Sequence, residues 1–169
     1  MADFAAPRKL AQNDDVASFD CGQFDLNDWL HRFALANQQS GMSTVFTSKA
    51  QDSDAIAGYY AVAAGGVEQE FAPQRVLKGL PRHPIPVILL TRLAVEVSMQ
   101  GCGLGRGLLI DALRRVSAAA DEIGVRALLI HAKNDAARAF YLKQAEFEPS
   151  PTDPLHLYLL LKDLRKALR

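Results

Sequence analysis

The chain has 169 residues, 19 Lys+Arg against 19 Asp+Glu, and 49% hydrophobic residues; at about 100–200 residues per domain, this reads as one compact domain over residues 1–169. A charged fraction of 22%, only 11 Gly and 8 Pro, and a formal net charge of zero exclude a disordered tail, a collagen-like repeat and a protein that holds nucleic acid by bulk basicity. Any polyanion has to be met by local charge.

Two cysteines, Cys21 and Cys102, are too few for a disulfide framework or a zinc site, so each reads as a small buried hydrophobe in a reducing compartment, and no metal is expected. The start of the chain carries Asp3 and lacks the apolar stretch of a secretion signal, which points to the cytoplasm. The longest charge-free apolar stretch, Ala55 to Val67, is 13 residues with three glycines, short of the roughly 18 needed to cross a bilayer, so no membrane partner is expected.

In chain order, Arg8 to Ala11 predicts a short strand, followed by turn chemistry at Asn13-Asp14-Asp15 and Phe19-Asp20-Cys21-Gly22. Asp25 is an N-cap candidate for one helix over Leu26 to Gln39, with Leu26, Trp29, Leu30 and Phe33 on a single stripe and Gly41 as its stop. Ser43 to Lys49 and Ala55 to Val67 read as an antiparallel hairpin. Phe71 to His83 is an irregular or weakly helical connection, and Pro86 to Val95 is a buried strand. Leu104 to Ala120 is helical, with Leu104, Leu108, Leu109, Ala112, Leu113 and Val116 on one face. Arg126 to Ala132 is a strand, Asn134 caps a helix to about Gln144, and a last strand, Leu155 to Leu161, leads into a basic tail. The order predicts an α/β (α+β) mixed sheet covered by helices rather than a doubly wound alternation.

The segment Gln100-Gly101-Cys102-Gly103-Leu104-Gly105-Arg106-Gly107 lies between a buried strand and an amphipathic helix. Glycines there let backbone approach a ligand, and the N–H groups that open a helix point at an anion, so the segment reads as a pyrophosphate cradle. A dinucleotide fingerprint from Gly101 needs glycine where Arg106 stands, and one from Gly103 needs it at Leu108. A Walker-type loop needs Gly-Lys-Ser/Thr, whereas Gly105 is followed by Arg106-Gly107.

The segment resembles the acetyl-CoA loop of the GNAT N-acetyltransferases, whose Arg/Gln-x-x-Gly-x-Gly/Ala pattern is met by Gln100, Gly103 and Gly105. The resemblance implies the GNAT fold, a central, mostly antiparallel, splayed sheet flanked by helices, with acetyl-CoA as co-substrate. It implies cofactor contacts from Leu93, Ala94 and Val95, from Gln100, Gly101, Cys102, Gly103, Leu104, Gly105 and Arg106, and from Asn134, Ala137 and Phe140, with Tyr141 as general acid. One departure is visible: many GNAT enzymes have a Gly-Phe turn after this tyrosine, whereas here the chain reads Gln144-Ala145-Glu146-Phe147.

More narrowly, Phe19-Asp20-Cys21-Gly22 with Leu26-Asn27-Asp28-Trp29-Leu30, Arg92-Leu93-Ala94-Val95, and Pro149-Ser150-Pro151-Thr152-Asp153-Pro154-Leu155 are similar to the GNAT toxins of bacterial type II toxin–antitoxin pairs, the TacT type. That likeness implies acetylation of the α-amino group of aminoacyl-tRNA, arrest of translation, a cognate ribbon-helix-helix antitoxin that brings the pair to operator DNA as a repressor, and a homodimer. The alternative is a GNAT enzyme acting on a small amine or a protein N-terminus; a third reading is a non-catalytic module that keeps the cofactor cradle.

A tyrosine phenol near ~10 can protonate a departing thiolate near ~8.5. Glu96 is the nearest acid to the strand end, and a base role stands beside that of an ordinary loop carboxylate. An α-amino group near ~7.7–8.0 is partly neutral without help, whereas a lysine near ~10.4 calls for a base. Charge is segregated: residues 1–31 hold six acids against Arg8 and Lys9, while residues 71–92 hold Arg75, Lys78, Arg82 and Arg92 and no acid. These four are the candidate tRNA-binding residues.

Overall fold

The computed structural model describes residues 3–169. The elements are β1 (Arg8–Lys9), α1 (Phe24–Arg32), α2 (Ala34–Gln39), β2 (Thr44–Lys49), β3 (Ile56–Val67), α3 (Gln74–Leu77), β4 (Ile85–Val95), α4 (Leu104–Ala119), β5 (Ala127–His131), α5 (Asp135–Gln144), β6 (Glu148–Pro149), β7 (His156–Leu160) and α6 (Leu161–Ala167). Seven strands form one sheet in the order β1-β2-β3-β4-β5-β7-β6. The β1–β2, β2–β3, β5–β7 and β6–β7 pairs are antiparallel, and β4–β5 is parallel. That is the mixed, mostly antiparallel sheet the element order predicts.

The chain divides into two compact units, Met1–Ala63 with Thr91–Ala112, and Ala64–Leu90 with Leu113–Arg169. In the first, Phe19, Leu30, Ala34, Val45, Ile56, Tyr59 and Ala61 are buried together. Tyr59 organises this core: Phe19 meets its ring edge-on at 5.5 Å, Trp29 stacks on it at 6.1 Å, and its hydroxyl donates to the Leu26 carbonyl of α1 at 2.7 Å. Its neighbour Tyr60 points to the other face and donates to Asp111 on α4. The alternation of a strand therefore places α1 and α4 on opposite sides of β3. A Cβ on Gly58 would stand 2.8 Å from Leu108, 3.1 Å from Leu104 and 3.2 Å from the Ala94 carbonyl, so the missing side chain lets the start of α4 lie directly on β3.

The core of the second unit is Ala72, Val76, Ile85, Val87, Ala127, Leu129, Tyr158 and Leu160, with α3 packed on β7 and α6 on β5 and β7. Here β4 pairs with β5 from Val87↔Ala127 to Leu90↔Ile130, and the register stops there, although β4 runs on to Val95.

Three sequence expectations need correction. The single helix over 26–39 is two helices broken at Phe33, whose backbone (φ −120, ψ −26) leaves the helical region, and Phe33 is 41% exposed rather than on the buried stripe. The N-cap of α1 is Gln23, not Asp25. The basic tail is a helix, α6, anchored by buried Asp163 and Leu164. By contrast, all six residues assigned to the apolar face of α4 are buried, and Asn134 caps α5 by accepting from the Ala137 N–H at 2.9 Å.

Asp14 ties the N-terminal segment to the sheet. Its side chain is 1% exposed and accepts from Arg8 at 2.7 Å, Lys49 at 2.9 Å and the Ala11 N–H at 2.8 Å. Burial pushes its pKa up, but those hydrogen bonds outweigh it and hold the carboxyl below its usual range. Its contribution is therefore present above the ordinary carboxylate pKa of about 3.9 and disappears as pH falls through the lower folded value. Asp14→Asn should cost about 1–3 kcal/mol in urea melts at pH 7, with the gap from the parent closing in strong acid; equal stability at pH 7 would show the cluster to be unimportant.

Candidate active site

The Phe-Asp-Cys-Gly turn singled out in the sequence turns out to be a clasp. The Asp20 carboxylate accepts from the Gly22 N–H and the Asn27 side chain, both at 2.8 Å, which holds it below the usual carboxylate range. Asn27 in turn accepts from the Cys21 N–H at 2.8 Å. With its own polar groups settled, the turn presents two carbonyls outward: Asp20 accepts from the Val97 N–H at 2.8 Å, and Cys21 accepts from the Gln100 amide at 3.0 Å. The Gln100 amide also donates to the Val95 carbonyl at 3.0 Å. Gln100 thus fastens the end of β4 and the start of the glycine loop to one turn.

From that anchor the loop passes through Gly101 (φ 81) and Gly103 (φ 86), both in the left-handed region, with open space where a Cβ would stand. The first intrahelical bond of α4 runs from the Gly107 N–H to the Gly103 carbonyl at 3.1 Å, so the N–H groups of Leu104, Gly105 and Arg106 have no carbonyl of their own helix to meet. Gly101, Gly103 and Arg106 are exposed, and Leu104 is buried as the first apolar anchor of α4. This donor set fits a pyrophosphate. Cys102 is half-buried, its thiol turned to the Met99 carbonyl, whereas Cys21 lies in the core.

Leu93, Ala94 and Val95 sit on β4 beyond the last β5 partner, with Ala94 buried and the other two half-buried. Glu96 is occupied as a cap: its carboxylate accepts from the Ser98 N–H at 2.8 Å and from the Ser98 hydroxyl. Arg92 lies with its guanidinium 4.1 Å over the Trp29 ring, partly buried, and burial lowers its pKa. All of these belong to the first unit, as do Gln100 to Arg106.

Asn134, Ala137, Phe140 and Tyr141 belong to the second unit, on α5 and its cap. Tyr141 is buried, edge-on to Phe140 at 5.2 Å and to Phe147 at 6.2 Å. Burial raises its pKa, so the phenol stays protonated at any working pH. The missing Gly-Phe turn is explained here. Ala145 leaves α5 in extended backbone (φ −161, ψ 175), which needs no glycine, and Phe147 still reaches the tyrosine.

Of the basic run, Lys78 and Arg82 are exposed, and Arg75 donates to Glu148 at 2.6 Å and Asp163 at 2.9 Å. Sequence reasoning missed a cavity of about 550 Å³ between the end of β3 and β5/β7. His131 and His156, cross-strand partners, stack there at 3.9 Å and 13° beside Asp153, Phe71 and Tyr158. Burial, then the neighbouring His156, lowers the pKa of His131. No Lys or Arg lines this cavity, so it suits an apolar or cationic group and not a phosphate. The only sequence signal was two histidines at strand ends. Among the described residues, no cluster of metal-ligating side chains is present, and no helix is long and apolar enough to cross a membrane.

The cradle makes opposite predictions for two of its glycines. Gly103→Ala forces an L-residue into φ 86 at about 1–2 kcal/mol, so titration calorimetry should show acetyl-CoA affinity falling roughly five- to thirtyfold. Gly107→Ala, helical with nothing within 4 Å, should leave affinity unchanged.

The profile of the acetyltransferase (GNAT) family matches residues 10–147. A tRNA-acetylating toxin of Mycobacterium tuberculosis is 50% identical over 168 residues, covering 99% of both chains. Among solved structures, AtaT complexed with acetyl-methionyl-tRNAfMet superposes with a TM-score of 0.88 at 25% identity, covering 99% of this chain and 100% of that one. AtaTR bound with AcCoA superposes with a TM-score of 0.84 at 25% identity over 99% of each chain. Glycine cradle and buried helix tyrosine accordingly sit in a chain that belongs to the GNAT acetyltransferase family.

Proposed function

We propose that this protein is a toxin that moves an acetyl group from acetyl-CoA to the α-amino group of aminoacyl-tRNA and so stops translation. The observation that carries this reading is full-length identity of 50% to a tRNA-acetylating toxin. Behind it stands a cradle whose positive-φ glycines and helix-opening N–H groups suit a pyrophosphate. The whole chain acts as one catalytic domain in the cytoplasm. A ribbon-helix-helix antitoxin neutralises it and takes it to operator DNA as a repressor, and the working form is a homodimer.

Acetyl-CoA, when bound, supplies the acyl group as an activated thioester. In this reading Gly101 to Arg106 hold its pyrophosphate, with Gln100 fixing the loop, and Leu93, Ala94 and Val95 line the pantetheine arm and offer N–H groups to the carbonyl oxygen. Asn134, Ala137 and Phe140 complete the cofactor contacts. The substrate nitrogen would bond to the carbonyl carbon, the C–S bond would break, the thiolate would take the proton of Tyr141, and the proton lost from the nitrogen would pass through solvent to restore the phenol. Glu96 is committed as a cap, and the α-amine is partly neutral without a base. The stacked-histidine cavity, free of cationic side chains, takes the aminoacyl end, while Arg75, Lys78, Arg82 and Arg92 serve the RNA.

Tyr141→Phe should lower kcat for acetylation of charged tRNA by about 10²–10⁴ with acetyl-CoA affinity and thermal midpoint unchanged, because the hydroxyl alone is removed from a packed ring. Retained turnover would remove Tyr141 from the mechanism.

A further inference from the structure

We propose that a basic recess in the second unit, formed by Arg75, Lys78, Arg126 and Lys162, binds a phosphodiester of the RNA substrate; this rests on the aminoacyl-tRNA reading above. The recess measures about 260 Å³, and no acidic side chain lines it. Only half of its cations are candidates in the sequence, because Arg126 immediately precedes β5 and Lys162 lies on α6, far from the 71–92 run.

The recess is built, not a chance meeting of surface charges. Arg126 donates through Nε to the Val76 carbonyl at 3.0 Å and through Nη2 to the Lys78 carbonyl at 3.1 Å, which locks the end of α3 against the start of β5. The Arg126 carbonyl accepts from the Leu161 N–H at 3.3 Å, bringing in the start of α6. Arg75 is held by Glu148 at 2.6 Å and by buried Asp163 at 2.9 Å. Those two carboxylates meet Arg75, and Arg126 meets carbonyl dipoles only. Lys78 and Lys162 are exposed and make no ion pair among the described residues. The recess therefore keeps an excess of two positive charges.

Its size and donor geometry choose the ligand. Sites that engulf a drug-sized molecule run to about 300–1,000 Å³, so this one takes a phosphate and not a nucleoside. A carboxylate of an acidic peptide is best met by an open guanidinium fork. Here Arg75 spends Nη1 on two carboxylates and Arg126 spends Nε and Nη2 on carbonyls, so neither offers a whole open fork, and the charges without an ion pair on exposed side chains are the Lys78 and Lys162 ammonium groups, which suit a phosphate oxygen approached from any direction. Arg75 and Arg126 are thus positioning residues that hold the walls, while Lys78 and Lys162 meet the phosphate.

The test is filter binding of a charged tRNA to the full chain across a salt series, comparing the parent with the Lys78→Ala/Lys162→Ala double variant and with Lys78→Arg/Lys162→Arg. Each phosphate that the protein ceases to neutralise should flatten the slope of log K against log salt by about 0.7–0.9, which weakens affinity roughly five- to eightfold at 0.1 M salt. The expected result is that weakening in the Ala pair, recovery in the Arg pair, and unchanged acetylation of puromycin, an aminoacyl nucleoside without phosphates. Both lysines are exposed, so the thermal midpoint should not move. Unaltered slope and affinity in the Ala pair, with a parent that binds and acetylates charged tRNA, overturns the recess alone. A parent that neither binds nor acetylates charged tRNA overturns the substrate reading with it. Loss of polyglutamate binding with tRNA binding intact also overturns the proposal and makes this an acidic-peptide site.

Discussion

Two hydrogen bonds onto one turn, from the Val97 N–H to the Asp20 carbonyl and from the Gln100 amide to the Cys21 carbonyl, fix everything that the cofactor loop does. A cradle for an anion has to keep backbone donors unpaired, and unpaired donors give a loop nothing to hold it in shape. Here the shape comes from outside the loop. The Asp20 to Gly22 turn satisfies its own polar groups through Asn27, then turns its carbonyls to residues 97 and 100. On the far side Leu104 and Leu108 seat α4 on Gly58, where no side chain stands in the way. The donors at 104–106 are left for a ligand.

Charge follows the same logic. The acids near the start of the chain are largely internal tools: Asp14 binds Arg8 and Lys49, and Asp20 shapes the clasp. Arg75 and Arg126 are likewise committed to holding α3, β6 and α6 together. What remains for a polyanion is a small set of lysines and arginines concentrated on particular faces, which is how a chain with zero net charge can still present a positive surface. The stacked-histidine cavity, by contrast, carries acids and rings and no Lys or Arg, whereas the basic recess of the same unit carries no acid.

Local signals are legible in the sequence. The apolar stripe of α4, the Asn134 cap and the β2–β3 hairpin depend on residues within a few positions of one another, and each stands where the pattern puts it. Features made by distant partners are not legible. Asp163 turns an apparent basic tail into a docked helix because Arg75, 88 positions away, meets it. The histidine pair exists because β5 and β7 are in register, and the recess unites Lys78 with Lys162. The Phe33 break has no local cue either, since the residue continues the apolar spacing and yet is exposed under the Arg32 guanidinium at 5.0 Å. Phe-Asp-Cys-Gly is visible as a motif, but its role as a clasp comes only with the partners at 97 and 100.

The most direct measurement is product identification. The protein is incubated with labelled acetyl-CoA and a total pool of charged tRNA, the RNA is digested to nucleosides, and the labelled species are resolved by mass spectrometry. An aminoacyl-tRNA acetyltransferase should place label only on N-acetyl-aminoacyl-adenosine, with none in a pool stripped of its amino acids beforehand. Label on a nucleobase, in stripped tRNA, or only on small amines or protein N-termini added alongside would contradict that activity.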